Sequence, residues 1–298
     1  MKNAAAALAM LLILPLAAGA QTAWGEPYDS HLTRHTIKCQ GLERIYYVYV
    51  PETLKEGKPL AFMLHGYGGN ADGYRPEMLE SARRHGFALV IPQGWKEDGK
   101  YKAGWNVRYP KQAEMKTDDI AFVMKLLKKV RKDYGIGKEN AFFSGMSNGG
   151  EMCYMMAYMH PEKWNAMASV AGLQMQWLAR EHKIRGHVPF MEFHGTADKT
   201  SSWFGDPGNK GGWGKYLAVP VAVGNIVSAN GCEYEETTVL PLKDESKPSR
   251  KVTLHRYLGS PYGDEVRLYE IEGGAHGWHL DDVDTTEEIF RFFEQYLR

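Results

Sequence analysis

Five residues constrain this chain more than any others: Gly145-Met146-Ser147-Asn148-Gly149. An apolar, strand-like run, Asn140-Ala141-Phe142-Phe143-Ser144, leads in, and a helix-like run from Glu151 to Met159, closed by Pro161, leads out. A chain that passes from strand to helix at a single serine turns too sharply for side chains two residues to either side, hence the glycines. The helix start that follows aims free backbone N–H groups at negative charge developing beside the serine. Gly-x-Ser-x-Gly also marks ordinary small-residue turns, so its weight comes from these flanks and from partners downstream. With both, Ser147 reads as a nucleophile.

A serine hydroxyl needs a base, and the base needs a carboxylate. Asp198 ends the segment Val188 to Asp198, a strand running into a Gly-containing loop. His276 follows the strand-like Glu265 to Ile271, in Gly273-Gly274-Ala275-His276-Gly277-Trp278. Both stand just past the carboxyl ends of expected strands, the rim where open α/β sheets carry their chemistry. Asp198 could instead cap a turn. Asp244 and Asp264 are rivals, but both lie in polar stretches with no strand leading in. His279 rivals His276 yet lies deeper in its segment. Of the eleven histidines, most read as surface or structural, and His194 as a satisfied loop histidine beside Asp198. No His-Glu-x-x-His occurs, and the pair His276 and His279 lacks an acidic third ligand at metal spacing, so neither a metal nor another cofactor is expected.

Acyl transfer also calls for donors to the oxyanion. One is the N–H of Asn148, directly after the nucleophile. The other belongs to the loop after an earlier strand, here Pro59 to Leu64 followed by His65-Gly66-Tyr67-Gly68-Gly69. By position Tyr67 is the second donor, with Gly68 next to it; the competing reading is a plain Gly-rich strand exit.

Strand patterns at Arg44–Val50, Phe62–Leu64, Ala88–Ile91, Ala141–Ser144, Ala166–Ala171, Phe190–Phe193 and Val266–Ile271 alternate with helical patterns at 77–84, 118–133, 148–159, 219–229 and 285–297. That alternation predicts an α/β fold, a mostly parallel central sheet with helices on both faces, and with the serine turn it predicts the α/β-hydrolase fold. Two connections are too long for plain turns: Trp95 to Thr117 and Lys199 to Ala218. Each follows a strand end and can wall a cleft. Trp105, Trp203 and Trp278 are therefore candidate substrate contacts, and ordinary loop or core anchoring is the competing reading for each.

Residues 1–20 read as an export signal, with Lys2, an apolar core from Ala4 to Leu16 and the small residues Ala18-Gly19-Ala20 before Gln21. The apolar run is too short for a membrane span, which predicts an exported protein whose catalytic domain is residues 21–298. Lys plus Arg and Asp plus Glu both number 36. No basic stripe stands out, which argues against nucleic acid as a partner; the basic run Lys125 to Lys132 reads as the solvated face of an amphipathic helix. The three cysteines leave at least one unpaired. Cys153, among methionines, reads as a buried thiol, while Cys39 and Cys232 are either bridged or both reduced.

Taken in order, His65-Gly66-Tyr67-Gly68-Gly69, Pro92-Gln93-Gly94, Trp105-Asn106, Gly145-Met146-Ser147-Asn148-Gly149-Gly150, His194-Gly195-Thr196-Ala197-Asp198, Asn230-Gly231-Cys232 and Gly273-Gly274-Ala275-His276 resemble one group. It comprises the secreted feruloyl esterases, acetylxylan esterases and polyhydroxyalkanoate depolymerases of the carbohydrate esterase family 1 type. The resemblance spans roughly residues 35–298 and maps Ser147, Asp198 and His276 onto that group's triad. Two departures stand out. Tyr257-Leu258-Gly259-Ser260 lacks the cysteine that many relatives carry there, which puts a bridge to Cys232 in doubt. Gly-Gly-Ala-His-Gly-Trp-His replaces a Gly-Gly-Gly-His-Thr-Trp-Pro pattern next to His276.

The implied activity is a serine carboxylesterase acting on esters that decorate plant polysaccharide, feruloyl before acetyl. Polyester depolymerase, serine peptidase and non-catalytic carbohydrate-binding module are the alternatives. The expected partner is an ester-substituted polysaccharide or oligosaccharide, or a small aryl ester, with no obligate protein partner.

Overall fold

The computed structural model describes residues 31–72, 76–243, 246 and 249–298. The expected export segment and Asp244 lie outside the described residues. The strands are β1 (Leu32–Cys39), β2 (Leu42–Tyr49), β3 (Leu60–Leu64), β4 (Ala88–Pro92), β5 (Trp95–Glu97), β6 (Tyr101–Gly104), β7 (Ala141–Met146), β8 (Ala166–Val170), β9 (Phe190–Gly195), β10 (Tyr234–Val239), β11 (Val252–Leu258) and β12 (Val266–Ile271). The helices are α1 (Pro76–His85), α2 (Asp119–Tyr134), α3 (Asn148–Met159), α4 (Gln176–Glu181), α5 (Val219–Asn230) and α6 (Thr285–Glu294).

Ten strands form one sheet in the order β1-β2-β4-β3-β7-β8-β9-β12-β11-β10. The stretch from β4 through β12 is parallel. Antiparallel strands extend it at both edges. The parallel strands are short apolar runs such as Leu-Ala-Phe-Met-Leu in β3 and Ala-Met-Ala-Ser-Val in β8, buried along their whole length. That is what a sheet covered on both faces requires. Alternate residues feed two cores. Phe62 and Phe143 join Phe122, Leu126 and Val130 of α2, Met152 and Met156 of α3 and Val223 of α5. Ala61, Met63 and Phe142 join Met78 and Leu79 of α1 and Ile289, Phe290 and Phe293 of α6.

The helix ends follow capping chemistry. The Asp118 side chain accepts the Ala121 N–H at the start of α2, and Gly135 at φ 68° ends that helix in the left-handed region. Lys125 and Lys128 face solvent on α2 while Leu126, Leu127 and Val130 are buried, the amphipathic arrangement expected for the basic run. Among the described residues no helix is long and apolar enough to cross a membrane.

All three cysteines are free thiols, which decides between the two readings of Cys39 and Cys232. Cys39 ends the edge strand β1, whereas Cys232 lies beside the Val266 amide at the start of β12, seven strands along the sheet. At about 4.8 Å per strand that is on the order of 30 Å, and a disulfide needs Cα atoms within about 7 Å.

Candidate active site

The strand-to-helix turn forms as its sequence demands. Ser147 sits between β7 and α3 at φ 55° and ψ −121°, a backbone state that costs a non-glycine residue about 1–3 kcal/mol. Its N–H donates to the Val170 carbonyl at 2.7 Å, and its carbonyl accepts from Glu151 N–H at 2.9 Å. A Cβ at Gly145 would stand 2.4 Å from the Gly149 carbonyl oxygen, and one at Gly149 would stand 2.3 Å from the Leu64 carbonyl oxygen. Both glycines are there because backbone passes through the space a side chain would need.

Asp198 and His276 meet across the loops that follow β9 and β12, neighbouring parallel strands. His276 Nδ1 lies 2.6 Å from Asp198 Oδ2. Asp198 Oδ1 accepts the backbone N–H groups of Thr200 at 2.7 Å and Ser201 at 2.8 Å. Burial alone would raise the Asp198 pKa, but the His276 hydrogen bond and charge, the Ser201 N–H and His194 hold the carboxyl below its ordinary value. The Ser147 hydroxyl makes no hydrogen bond among the described residues. The carboxylate–imidazole contact is therefore closed and the imidazole–serine contact is open.

The rivals go elsewhere. Asp264 precedes β12, at the opposite end of the sheet from His276, and binds His187 Nδ1 at 2.6 Å. The His279 ring is buried, on a backbone at φ 56°, with Nδ1 3.7 Å from Asp282 and Nε2 without a partner among the described residues. Burial pushes its pKa down to about 4, with Asp282 opposing. Its ring does not reach the Asp198 carboxylate as His276 does. His194 is satisfied at both nitrogens, as expected, but lies within β9 and not in the loop, and is fully enclosed.

The turn after β3 packs directly on the serine. A Cβ at Gly66 would lie 3.2 Å from Ser147 Cβ. Gly68 N–H donates to the Ala103 carbonyl at 2.6 Å, so it is occupied, and Tyr67 N–H is the donor left beside the serine. Asn148 heads α3, where first-turn N–H groups have no helical acceptor.

His65 braces this turn from within. Gly94 N–H donates to its Nε2 at 3.0 Å, so Nδ1 carries the hydrogen and donates to the Gly66 carbonyl at 2.7 Å. Burial lowers the His65 pKa, outweighing the Gly66 carbonyl, and keeps the ring neutral.

The tryptophans are redistributed. Trp105, expected on the cleft wall, is fully buried. Its indole N–H donates to the His65 carbonyl at 2.8 Å, and its backbone N–H donates to Asn148 Oδ1 at 2.7 Å. It is an anchor that ties the long loop after β4 to both candidate oxyanion donors. Trp203 is also buried, edge-on to His194 at 6.1 Å. Trp278 is half-buried and, with His276 and Arg250, lines a cavity of about 410 Å³. A larger cavity, about 490 Å³, lies among Trp164, His187 and Tyr262 at the opposite end of the strands.

Ring surface beside the oxyanion loop comes from residues that single-sequence reading did not select as contacts. Tyr67, Tyr109 and Trp213 meet edge to face, with centroids 5.1–6.0 Å apart. Lys111 Nζ sits 3.2 Å from the Trp213 centroid and 4.1 Å from that of Tyr67. Burial lowers the Lys111 pKa to about 8, with Glu151 opposing. Beneath them the fully buried Glu151 accepts from the Tyr109 hydroxyl at 2.5 Å, and burial raises its pKa to about 7. The two long connections expected to wall a cleft carry Tyr109 and Lys111 in one and Trp213 in the other, which is the one sign of this cluster.

Residues 44–182 match the family model described as esterase PHB depolymerase. A bifunctional acetylxylan esterase/xylanase of Neocallimastix patriciarum is 27% identical over 259 residues, 86% of this chain and 34% of the relative. Feruloyl esterase C of Emericella nidulans is 29% identical over 150 residues, 47% of this chain and 50% of the relative. The chain thus spans half or less of the length of these relatives. Among solved structures, the acetyl xylan esterase from Aspergillus awamori superposes with a TM-score of 0.55 at 15% identity, covering 87% of this chain and 99% of that one. An S-formylglutathione hydrolase from Agrobacterium tumefaciens gives a TM-score of 0.57 at 13% identity, covering 90% and 95%. These two establish the fold. The chain has the α/β-hydrolase fold, and within it residues 44–182 are similar to the esterase PHB depolymerase family.

Proposed function

We propose that this protein is an exported serine carboxylesterase that removes ester substituents from plant polysaccharide, with feruloyl esters the preferred class. The observation that carries the reading is the strained Ser147 turn on the same sheet rim as the hydrogen-bonded Asp198–His276 pair. Ser147 Oγ attacks the ester carbonyl while His276 Nε2 takes its proton, and Asp198 holds Nδ1–H and stabilises the imidazolium. The N–H groups of Asn148 and Tyr67 receive the oxyanion, and one such donor is worth about 10²–10³ in kcat. His276 returns the proton to the departing sugar oxygen, an acyl-serine remains, and water releases the acid by the same steps in reverse.

The preference for an aromatic acyl group draws support from the Tyr67, Tyr109 and Trp213 rings beside the oxyanion loop, since offset or edge contacts between rings favour aromatic ligands. The relatives named for feruloyl and acetylxylan ester cleavage agree with that substrate class. The export reading rests on the sequence of residues 1–20 alone. Purified protein is expected to release ferulate from methyl ferulate and from feruloylated arabinoxylan, to lose activity to a serine-directed organophosphate, and to need no added metal. Hydrolysis of hydroxybutyrate oligomers with no ferulate release would move the assignment to polyester depolymerase.

A further inference from the structure

Next to Asp198 stands a second imidazole that the reaction above leaves unused. The side chains of His194 and Glu192, both on β9, are wholly enclosed. His194 Nε2 lies 2.7 Å from the Ser201 carbonyl oxygen, which can only accept, so Nε2 carries a hydrogen. Nδ1 faces Glu192 Oε1 at 3.0 Å. Glu192 also accepts the Gly172 N–H at 3.2 Å and the Tyr154 hydroxyl at 3.2 Å. With two further donors already on this carboxyl, the Nδ1 contact favours a hydrogen on the ring nitrogen as well, and the His194 pKa is raised accordingly. The ring is then a cation, and its Nε2 is 3.8 Å from Asp198 Oδ2. That is the same oxygen His276 reaches at 2.6 Å.

We propose that His194 is a positioning residue for the reaction: a buried imidazolium, held by Glu192, that keeps Asp198 ionised and limits the basicity of His276. The proposal rests on the catalytic reading of Ser147, Asp198 and His276. Charge alternates along Glu192, His194, Asp198 and the imidazolium that His276 becomes during turnover. A buried ion pair is a poor means of stabilising a core, since apolar residues of the same volume do as well or better. Its retention against the Asp198 carboxylate therefore points to electrostatics at the site.

Burial by itself would lower the His194 pKa, but Glu192, the Ser201 carbonyl and Asp198 together raise it. The titratable groups around the pair are Asp198 in the loop after β9, Tyr154 and Cys153 from α3, and His279 from the loop after β12. Among them His194 and His279 are alike in charge when protonated, and each lowers the other's proton affinity. The Trp203 ring closes the remaining side.

Two measurements test the proposal. Imidazole ¹⁵N NMR of the native protein should show both His194 nitrogens protonated at pH 7, above the ordinary imidazole pKa of about 6.5, and a single protonated nitrogen there would overturn it. Glu192→Gln keeps the volume of the side chain and removes the counter-charge. His194 should then become neutral, and the acid limb of the kcat/KM profile should move up by roughly one pH unit. A purely structural pair would lower thermal stability and active fraction while leaving the limb where it was, and that result would reject the proposal. His194→Gln should shift the limb in the same direction. Absence of Ser147-dependent ester turnover in the parent would reject the catalytic reading instead, with the NMR still deciding the charge of His194.

Discussion

Ser147 holds a backbone state that costs about 1–3 kcal/mol, and under the proposed function that state aims its hydroxyl for attack. Ser147→Ala and His276→Ala are each expected to lower kcat by about four to six orders of magnitude, because the three groups act as one unit. Asp198→Ala should cost less, since an imidazole without its carboxylate keeps some basicity. Ester turnover measured beside thermal unfolding checks this, since the serine and imidazole variants should lose activity with little loss of stability. His279 behaves differently. Its pKa is about 4 in the folded protein against an ordinary 6.5. Below pH 6.5 the unfolded chain binds a proton that the buried ring refuses, so stability is full above 6.5, falls as pH drops toward 4, and flattens below. The loss amounts to about 2–4 kcal/mol. Asn tolerates the left-handed backbone at this position, so His279→Asn should remain active and unfold with a shallower pH dependence over that window. Denaturant midpoints from pH 4 to 7 read this directly; equal slopes in parent and variant would assign the dependence to other groups.

The loop after β4 shows how a buried residue can serve a site it does not line. Trp105 joins it to the His65 carbonyl and to Asn148 Oδ1. Asn106 holds its far end through the carbonyls of Met115 and Thr117. Trp105→Phe keeps most of the bulk but leaves the His65 carbonyl without its indole donor, at a cost of about 1–3 kcal/mol. The expected signature is a fall in kcat with KM nearly unchanged, because the oxyanion donors shift and the substrate surface does not. A Trp105 that stacked on substrate would give the opposite split. The sequence carried the central strands, five of the six helices and the serine turn, because each parallel strand is a continuous apolar run and the longer helices have room to show their pattern; α4, six residues long, does not. It did not carry β10, whose residues are all exposed. An edge strand with no buried face has no alternation to detect. Nor did it separate Trp105 from Trp213, because a tryptophan in a glycine-rich loop has the same pattern whether it turns inward or outward. Glu192 escaped notice for a related reason: one acidic residue inside an apolar strand gives no sign of the imidazole two positions on that it will face.

Across the whole sheet, stability has to come from the two cores, because the thiols cannot supplement them. Cys39 sits on one edge strand and Cys232 beside β12, on the order of 30 Å apart, while Cys153 is buried against the Gly149 and Ala168 carbonyls in α3. Burial raises the pKa of Cys153 well above that of an ordinary thiol, with Glu192 adding to the effect. That thiol should stay protonated and inert in the folded state. Thermal unfolding with and without a strong reductant should therefore coincide within about 1 °C. A native bridge contributes about 2–5 kcal/mol, which in a chain of this size would shift the midpoint by roughly 5 °C or more. Thiol titration supplies the second reading. Denatured, unreduced protein should react at all three cysteines, and native protein at Cys232 first, since Cys39 and Cys153 are buried and Cys232 is the partly exposed one. Only one reactive thiol after denaturation would mean that the chain closes a bridge, and it would have to leave this sheet order to make it.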